Sequence, residues 1–284
     1  MSTDRIPVPA QPERKPFNAP LFAGALALVA VLAVVAFNVL RPQPALTVAD
    51  LQSPVVGALG AGEALYPENS REGIREVVKF GYLPAVELSG LQDGTVVLAD
   101  PESGQQDLGL DQPLDQTGTE EFLQSRITPA GSDEGRAFGE GTPMTWEQAL
   151  EEFGDSTVFM PEVASADLVS EVLSDIEESG RSDGIIVRSS DPEVLDAAVA
   201  QDASALYTGD PAAVTPAELT ERGVTMVALP VDANSLDSWL DSDIQIWVTD
   251  LESEGALNAI AARGAFGALA ENPFTLQPSV VKTD

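Results

Sequence analysis

From residue 53 onward, short apolar runs alternate with longer runs in which apolar residues recur every three or four positions. The short runs read as strands over Pro54–Leu59, Pro84–Ser89, Thr157–Glu162, Gly184–Arg188, Ala203–Tyr207, Val224–Leu229, Ile244–Thr249 and Ala265–Ala270. The longer runs carry the helical period over Glu72–Phe80, Leu168–Glu178, Pro192–Gln201, Leu236–Leu240 and Ser253–Arg263. Val169, Val172, Leu173 and Ile176 form the clearest stripe and belong to the core. Strands that alternate with helices imply a parallel sheet with helical crossovers. Eight of them is the number that closes an α/β (β/α)8 TIM barrel.

Local punctuation sharpens these boundaries. Thr215-Pro216-Ala217-Glu218 places a hydroxyl cap, a first-turn proline and a reciprocal acid at capping-box offsets. Thr145 to Gln148 and Asn69 to Glu72 have the same form, and Asp191-Pro192 also reads as a helix start. Asp93-Gly94 favours a tight hairpin, so Thr95–Asp100 is expected to pair antiparallel at the rim, outside the eight strands. Pro161 removes a ladder donor and should break its strand. Residues 101–142 are rich in Gly, Asp, Gln and Glu. They form an acidic insertion, and a connection of that length is a functional or a mobile loop.

The N-terminal part follows a different pattern. Residues 1–18 hold four prolines among polar groups and read as a disordered tail. Within 19–40, Leu21 to Leu40 carries no charge, and at about 1.5 Å per residue it matches a hydrocarbon layer of roughly 30 Å. Arg5, Arg14 and Lys15 precede it and Arg41 follows closely, which places the N-terminus in the cytoplasm and the rest outside the membrane. Val34-Val35-Ala36 offers a signal-peptidase site as the competing reading, but the span exceeds the apolar core of about 7–15 residues usual for a cleaved signal. The expected organisation is therefore a signal anchor at 19–40, a linker at 41–52, the barrel at 53–275 and a tail at 276–284.

Charge narrows the partners. The first 40 residues hold three basic and two acidic groups of totals of 14 and 46, so 11 basic and 44 acidic remain outside, a formal −33. Such a surface cannot supply the clustered cations that displace phosphate counterions, and nucleic-acid binding is excluded. The acidity serves solubility in an ion-rich exterior, or attracts a basic partner or divalent cations. The chain has no cysteine, which rules out disulfides, lipidated cysteine and thiolate metal sites. Three lysines against eleven arginines, with abundant Ala and Gly, suggest a GC-rich, actinobacterial source.

Five short stretches occur in a telling order: Tyr66-Pro67-Glu68-Asn69-Ser70, Val86-Glu87-Leu88-Ser89, Gln92-Asp93-Gly94 through Asp100, Ile246-Trp247-Val248-Thr249-Asp250, and Gly264-Ala265-Phe266-Gly267. The series resembles the glycerophosphodiester phosphodiesterase family over about Ser53 to Pro273. Pro113 to Gly118 and Pro143 to Leu150 resemble further stretches of that family. The resemblance implies a phosphodiesterase-type barrel in which two histidines move protons and three carboxylates hold a divalent cation. This chain contains no histidine. The first His-Arg pair of the family falls at Ala58-Leu59, or one residue later, and the second histidine at Ala99.

The carboxylate set matches in part. Glu87 stands at the first acid and Ser89 at the following Asp. Glu162 matches a Glu-x-Lys pair whose lysine is Ala164 here. Ala270-Glu271-Asn272-Pro273 keeps a turn and one acid. Glu87 and Glu162 are thus candidates for weak Ca²⁺ or Mg²⁺ binding, or simply polar strand ends. Glu87, Ser89, Asp100, Glu162, Trp247 and Glu271 form the candidate ligand-binding barrel mouth, with Trp247 a pocket wall or core residue. No catalytic residue and no cofactor is expected. The function implied is a membrane-anchored, non-catalytic phosphodiesterase-like domain, an accessory or docking subunit for another membrane protein or envelope complex. Two alternatives stand beside it: a metal-dependent phosphodiesterase with residual activity, and an extracytoplasmic receptor for a glycerol-phosphate or sugar.

Overall fold

A computed structural model describes residues 45–128 and 139–277. The tail and the apolar span at 19–40 lie outside the described residues, and among those described no helix is long and apolar enough to cross a membrane.

Seven parallel strands form one sheet: β1 (Val55–Leu59), β2 (Leu83–Ala85), β5 (Ile186–Ser189), β6 (Ser204–Tyr207), β7 (Met226–Pro230), β8 (Gln245–Thr249) and β9 (Gly267–Ala270), in the order β2-β1-β9-β8-β7-β6-β5. The expected strand over Thr157–Glu162 is present only as isolated parallel bridges, Phe159 to Ile185, Glu162 to Arg188 and Glu87 to Glu162. Pro161 has no donor to contribute, although its carbonyl still accepts from the Arg188 amide at 2.8 Å. This broken segment nevertheless links the two sheet edges. The Met160 and Glu162 amides donate to Pro84 and Val86 at 2.9 and 2.7 Å, while the Phe159 amide donates to Gly184 at 3.0 Å on the other side. The fold is therefore an α/β, TIM-barrel-like ring.

The expected second strand, Pro84–Ser89, divides. Its first part is β2; its end turns outward as β3 (Leu88–Gly90) and pairs antiparallel with β4 (Val96–Leu98). Asp93-Gly94 makes the hairpin turn, with the Gly94 amide donating to the Leu91 carbonyl at 3.0 Å. The described parts of the insertion that follows are packed. Helices α2 (Gly104–Asp107) and α3 (Thr119–Gln124) close Leu108, Leu114, Phe122 and Ile127 over Leu91, Val97 and Ala99.

Helices α1 (Arg71–Lys79), α4 (Trp146–Phe153), α5 (Ala166–Ser179), α6 (Pro192–Ala200), α7 (Pro216–Glu221), α8 (Leu236–Leu240), α9 (Glu254–Ala261) and α10 (Pro273–Leu276) follow the strands. The capping boxes at Thr145/Gln148 and Thr215/Glu218 form, and Asp191 caps α6. Asn69/Glu72 does not. Ser70 caps α1, and Glu72 instead accepts from the Thr142 amide and hydroxyl at 2.8 and 2.9 Å.

Alternation along the strands splits the apolar residues into two layers. Val56, Ala58, Val187, Val227 and Val248 face the helices together with the α5 stripe Val169, Val172, Leu173 and Ile176. Val55, Ala85, Met160, Ile186, Met226, Trp247 and Leu269 fill the ring interior. A filled interior is what this architecture requires, since small barrels are packed cores and not pores.

Candidate functional site

The interior apolar layer ends at Ala85, Met160 and Ile186. Two residues further along each strand the same inward-facing positions carry Glu87, Glu162 and Arg188. Parallel register aligns Glu87 with Glu162 and Glu162 with Arg188, so the three side chains emerge side by side at the C-terminal mouth. Arg188 Nη1 lies 3.1 Å from Glu162 Oε2 and Nη2 lies 3.5 Å from Glu87 Oε1. Its Nε donates to the Met160 carbonyl at 2.8 Å and Nη2 to the Val86 carbonyl at 3.3 Å. Only 2% of the Arg188 side chain is exposed, against 17% and 31% for Glu87 and Glu162.

This guanidinium was not singled out from the sequence. Its signal was a lone arginine closing the apolar run Ile185-Ile186-Val187, two residues beyond an inward-facing position. An arginine buried at that level needs carboxylate and carbonyl partners from neighbouring strands, which are supplied here.

Acidic groups crowd the same mouth. Gly60, with φ +54°, lies so close under Glu63 and Glu68 that a β-carbon there would sit 2.5 Å from a Glu63 carboxylate oxygen and 2.8 Å from Glu68 Cγ. Partial burial, then the charges of Glu87, Glu271 and Asp100, push the Glu63 carboxyl up to about 7. Burial, then Glu63, Glu87, Asp107 and Asp100, push Glu68 up to about 8. Burial also raises Glu87, against the opposing pull of Arg188. Glu87 Oε2 is enclosed without a hydrogen-bond partner. Neither Glu63 nor Glu68 was expected to be a site residue.

The sequence-derived candidates separate in the structure. Glu87 and Glu162 meet, but through Arg188. Thr208 also donates to Glu162 at 3.3 Å. Ser89 is buried, and its hydroxyl donates to the Ala99 carbonyl at 2.9 Å inside the hairpin. Asp100 accepts from the Glu102 and Ser103 amides, both at 2.7 Å, and so caps the turn into α2. Glu271 adds negative charge near Glu63, and its backbone carbonyl accepts from the Ala64 amide at 3.4 Å.

Of the two readings of Trp247, pocket wall or core residue, the structure has the core one, and Trp247 leaves the mouth set. It is fully buried in the interior layer, edge-on to Phe266 at 5.6 Å between centroids. Its neighbours in that cluster include Val55, Leu46 and Val48, at the end of the ring opposite the mouth. No group of three or more acidic residues is arranged to hold a metal ion among the described residues. Arg188 faces one oxygen of each acid, Glu87 Oε1 and Glu162 Oε2, while Glu87 Oε2 is left without a partner.

The positions matched to the two histidines differ in their surroundings. Ala58 is buried and faces the helix layer, Leu59, the alternative placement, is half-buried and packs on the ring interior, and Ala99 is buried beneath α2. A β-carbon added to Gly104 would lie 3.1 Å from the Ala99 β-carbon and from Leu114 Cδ1, so Gly104 lets α2 pack closely over Ala99.

Solved structures of similar shape are glycerophosphodiester phosphodiesterases. The Agrobacterium tumefaciens enzyme superposes with a TM-score of 0.66 at 12% identity, covering 78% of this chain and 98% of that one. The chain has the glycerophosphodiester phosphodiesterase fold. A phosphodiesterase from Oleispira antarctica, solved with the product sn-glycerol-3-phosphate, gives 0.66 at 16% identity over 79% of this chain and 95% of its own. A glycerophosphoryl diester phosphodiesterase domain from Mycobacterium tuberculosis gives 0.62 at 16% identity over 78% and 96%. No family model and no curated protein matches the sequence. The likeness read from five short stretches is thus met at the level of the fold.

Proposed function

We propose that the chain is a non-catalytic glycerophosphodiester phosphodiesterase-like domain, held at the outer face of a cell membrane by residues 19–40 and serving as an accessory or docking subunit of a membrane or envelope complex. The observation that carries this reading is the Arg188 guanidinium between Glu87 and Glu162. A fixed cation there already balances one oxygen of each acid, in the place where metal-assisted phosphoryl chemistry would put a metal ion. Arginine does not titrate in the working range, so it cannot serve as the base or acid. The chain has no histidine to replace it. Glu63 and Glu68, raised to about 7 and about 8, are the remaining groups that can hold and give up a proton near neutral pH. They sit in a strongly negative mouth that repels a phosphodiester anion.

The test is an assay of the full-length chain in detergent against glycerophosphocholine and glycerophosphoethanolamine with Ca²⁺, Mg²⁺ or Mn²⁺. The expected result is no release of glycerol phosphate above buffer. Turnover that disappears in Glu87→Gln or Glu162→Gln would establish residual phosphodiesterase activity and overturn the proposal.

A further inference from the structure

A second concavity lies beside the mouth, where the β3–β4 hairpin, the insertion and the start of α5 meet. It encloses about 600 Å³. Leu88, Leu91 and Leu114 form a buried floor and Leu168 a half-buried wall. Gly90 leaves the floor open, since a β-carbon there would reach Leu168 Cδ1 at 3.2 Å. The one polar side chain of the floor, Ser89, is already bonded to the Ala99 carbonyl.

The rim has the opposite character. Asp167 and Glu171 lie one turn apart on the same face of α5, and Asp115 faces the groove from the insertion. All three are exposed, and none has a salt-bridge or hydrogen-bond partner among the described residues. No lysine or arginine lines the concavity. An apolar floor between unpaired carboxylates is complementary to an apolar anchor flanked by cations. A small polar ligand would need convergent donors and acceptors on the floor, and the floor has none to offer. An anionic lipid or phosphate ester would meet the same negative rim.

We infer that this groove is a docking site for a partner protein, through a short segment bearing one or two large apolar side chains with lysine or arginine on either side. The inference rests on the accessory-subunit reading and names the recognition surface for it. The apolar anchor supplies most of the affinity by leaving water, and the rim sets orientation and excludes acidic segments. Long-range attraction from a formal −33 speeds the encounter without specifying it.

The experiment uses the full-length chain in detergent and a fluorescein-labelled 12-residue peptide with a central Leu-Phe pair flanked by Lys-Arg pairs. Companion peptides carry Glu in place of the cations or Ser in place of the apolar pair. Fluorescence anisotropy at 150 mM salt should show binding of the first peptide alone. Asp167→Lys with Glu171→Lys, and separately Gly90→Val, should weaken it at least tenfold, while Asp241→Lys with Glu254→Lys outside the groove should leave it within twofold. Equal loss in the outside pair, or no loss in Gly90→Val, would reduce the binding to diffuse charge and overturn the site. A benzoylphenylalanine version of the peptide tests the unmutated chain directly. Cross-links should fall within residues 88–94, 113–115 or 164–171, and cross-links elsewhere, or none, refute the inference. Hydrolytic turnover in the separate assay would remove the non-catalytic reading and leave this peptide result standing, so the two failures are distinguishable.

Discussion

Arg188 and Glu162 are register partners on neighbouring parallel segments, and their side chains close at 3.1 Å in a layer where the guanidinium is almost wholly enclosed. Such a pair adds little net stability compared with an apolar pair of similar volume, yet breaking it leaves buried charge without compensation. Arg188→Met should therefore destabilise the domain by about 3–5 kcal/mol in urea unfolding. Adding Glu87→Gln and Glu162→Gln to that variant should recover most of the loss. Equal stability of Arg188→Met and the unmutated chain would mean that the cation is not what balances the two acids.

Glu63 and Glu68 give the domain an unusual pH dependence. Their carboxyls titrate near 4.5 when exposed but near 7 and 8 in the fold, where burial and like charges disfavour ionisation. Between about pH 4.5 and 8 the folded state therefore binds more protons than the unfolded chain, and stability falls as pH rises through that window. The thermal midpoint should be highest near pH 5 and decline toward pH 8. Glu68→Gln, a permanently neutral mimic, should flatten the decline and raise the midpoint at pH 8. Asp93, held down to about 2 by hydrogen bonds from Thr119 and Thr95, acts in the opposite sense only at more acid pH.

The uneven legibility of this chain follows from the range of the forces involved. The caps at Thr145, Thr215 and Asp191 were readable because each is settled within four residues. The helix stripe on α5 and the order of strands were readable for the same local reason. Asn69/Glu72 had the right local form, but Thr142, seventy residues away, captured Glu72. The clamp on Glu87 and Glu162 depends on the register of three segments spanning a hundred residues, which no short pattern encodes. Trp247 stayed open between pocket wall and core because the matching stretch identifies its strand but not its depth. Depth is set by Phe266 and Val55 packing around it from other strands.

That packing makes Gly267 a sensitive position. A β-carbon there would lie 2.6 Å from the Val55 carbonyl oxygen and 2.9 Å from the Trp247 ring, so backbone and indole both resist it. Gly267→Ala should cost about 1–3 kcal/mol, the usual range for an overpacked core. The midpoint of urea unfolding should fall with an unchanged slope, since the surface exposed on unfolding is the same. Combining it with Trp247→Phe should return only part of the loss, because the carbonyl contact remains.

The last prediction concerns location. A span of twenty uncharged residues reaches about 30 Å as a helix, and basic residues before it favour retention of the N-terminus inside the cell. Full-length protein should therefore stay in the membrane fraction through a carbonate wash, with the barrel cut by external protease only after the cell wall is opened. A soluble form beginning at Phe37 would refute the anchor and favour a cleaved signal. Tethering matters to the proposed role because confinement raises the effective concentration of a weak interface toward its membrane neighbours. Release of the barrel from residues 19–40, or charge reversal at the exposed Asp167 and Glu171 on the groove rim, should weaken co-purification with a specific membrane complex. Glu87→Gln should leave that co-purification intact, since its carboxylate faces Arg188 and not the partner. The reverse pattern, with Glu87 essential and the tether dispensable, would move the function back to the barrel mouth.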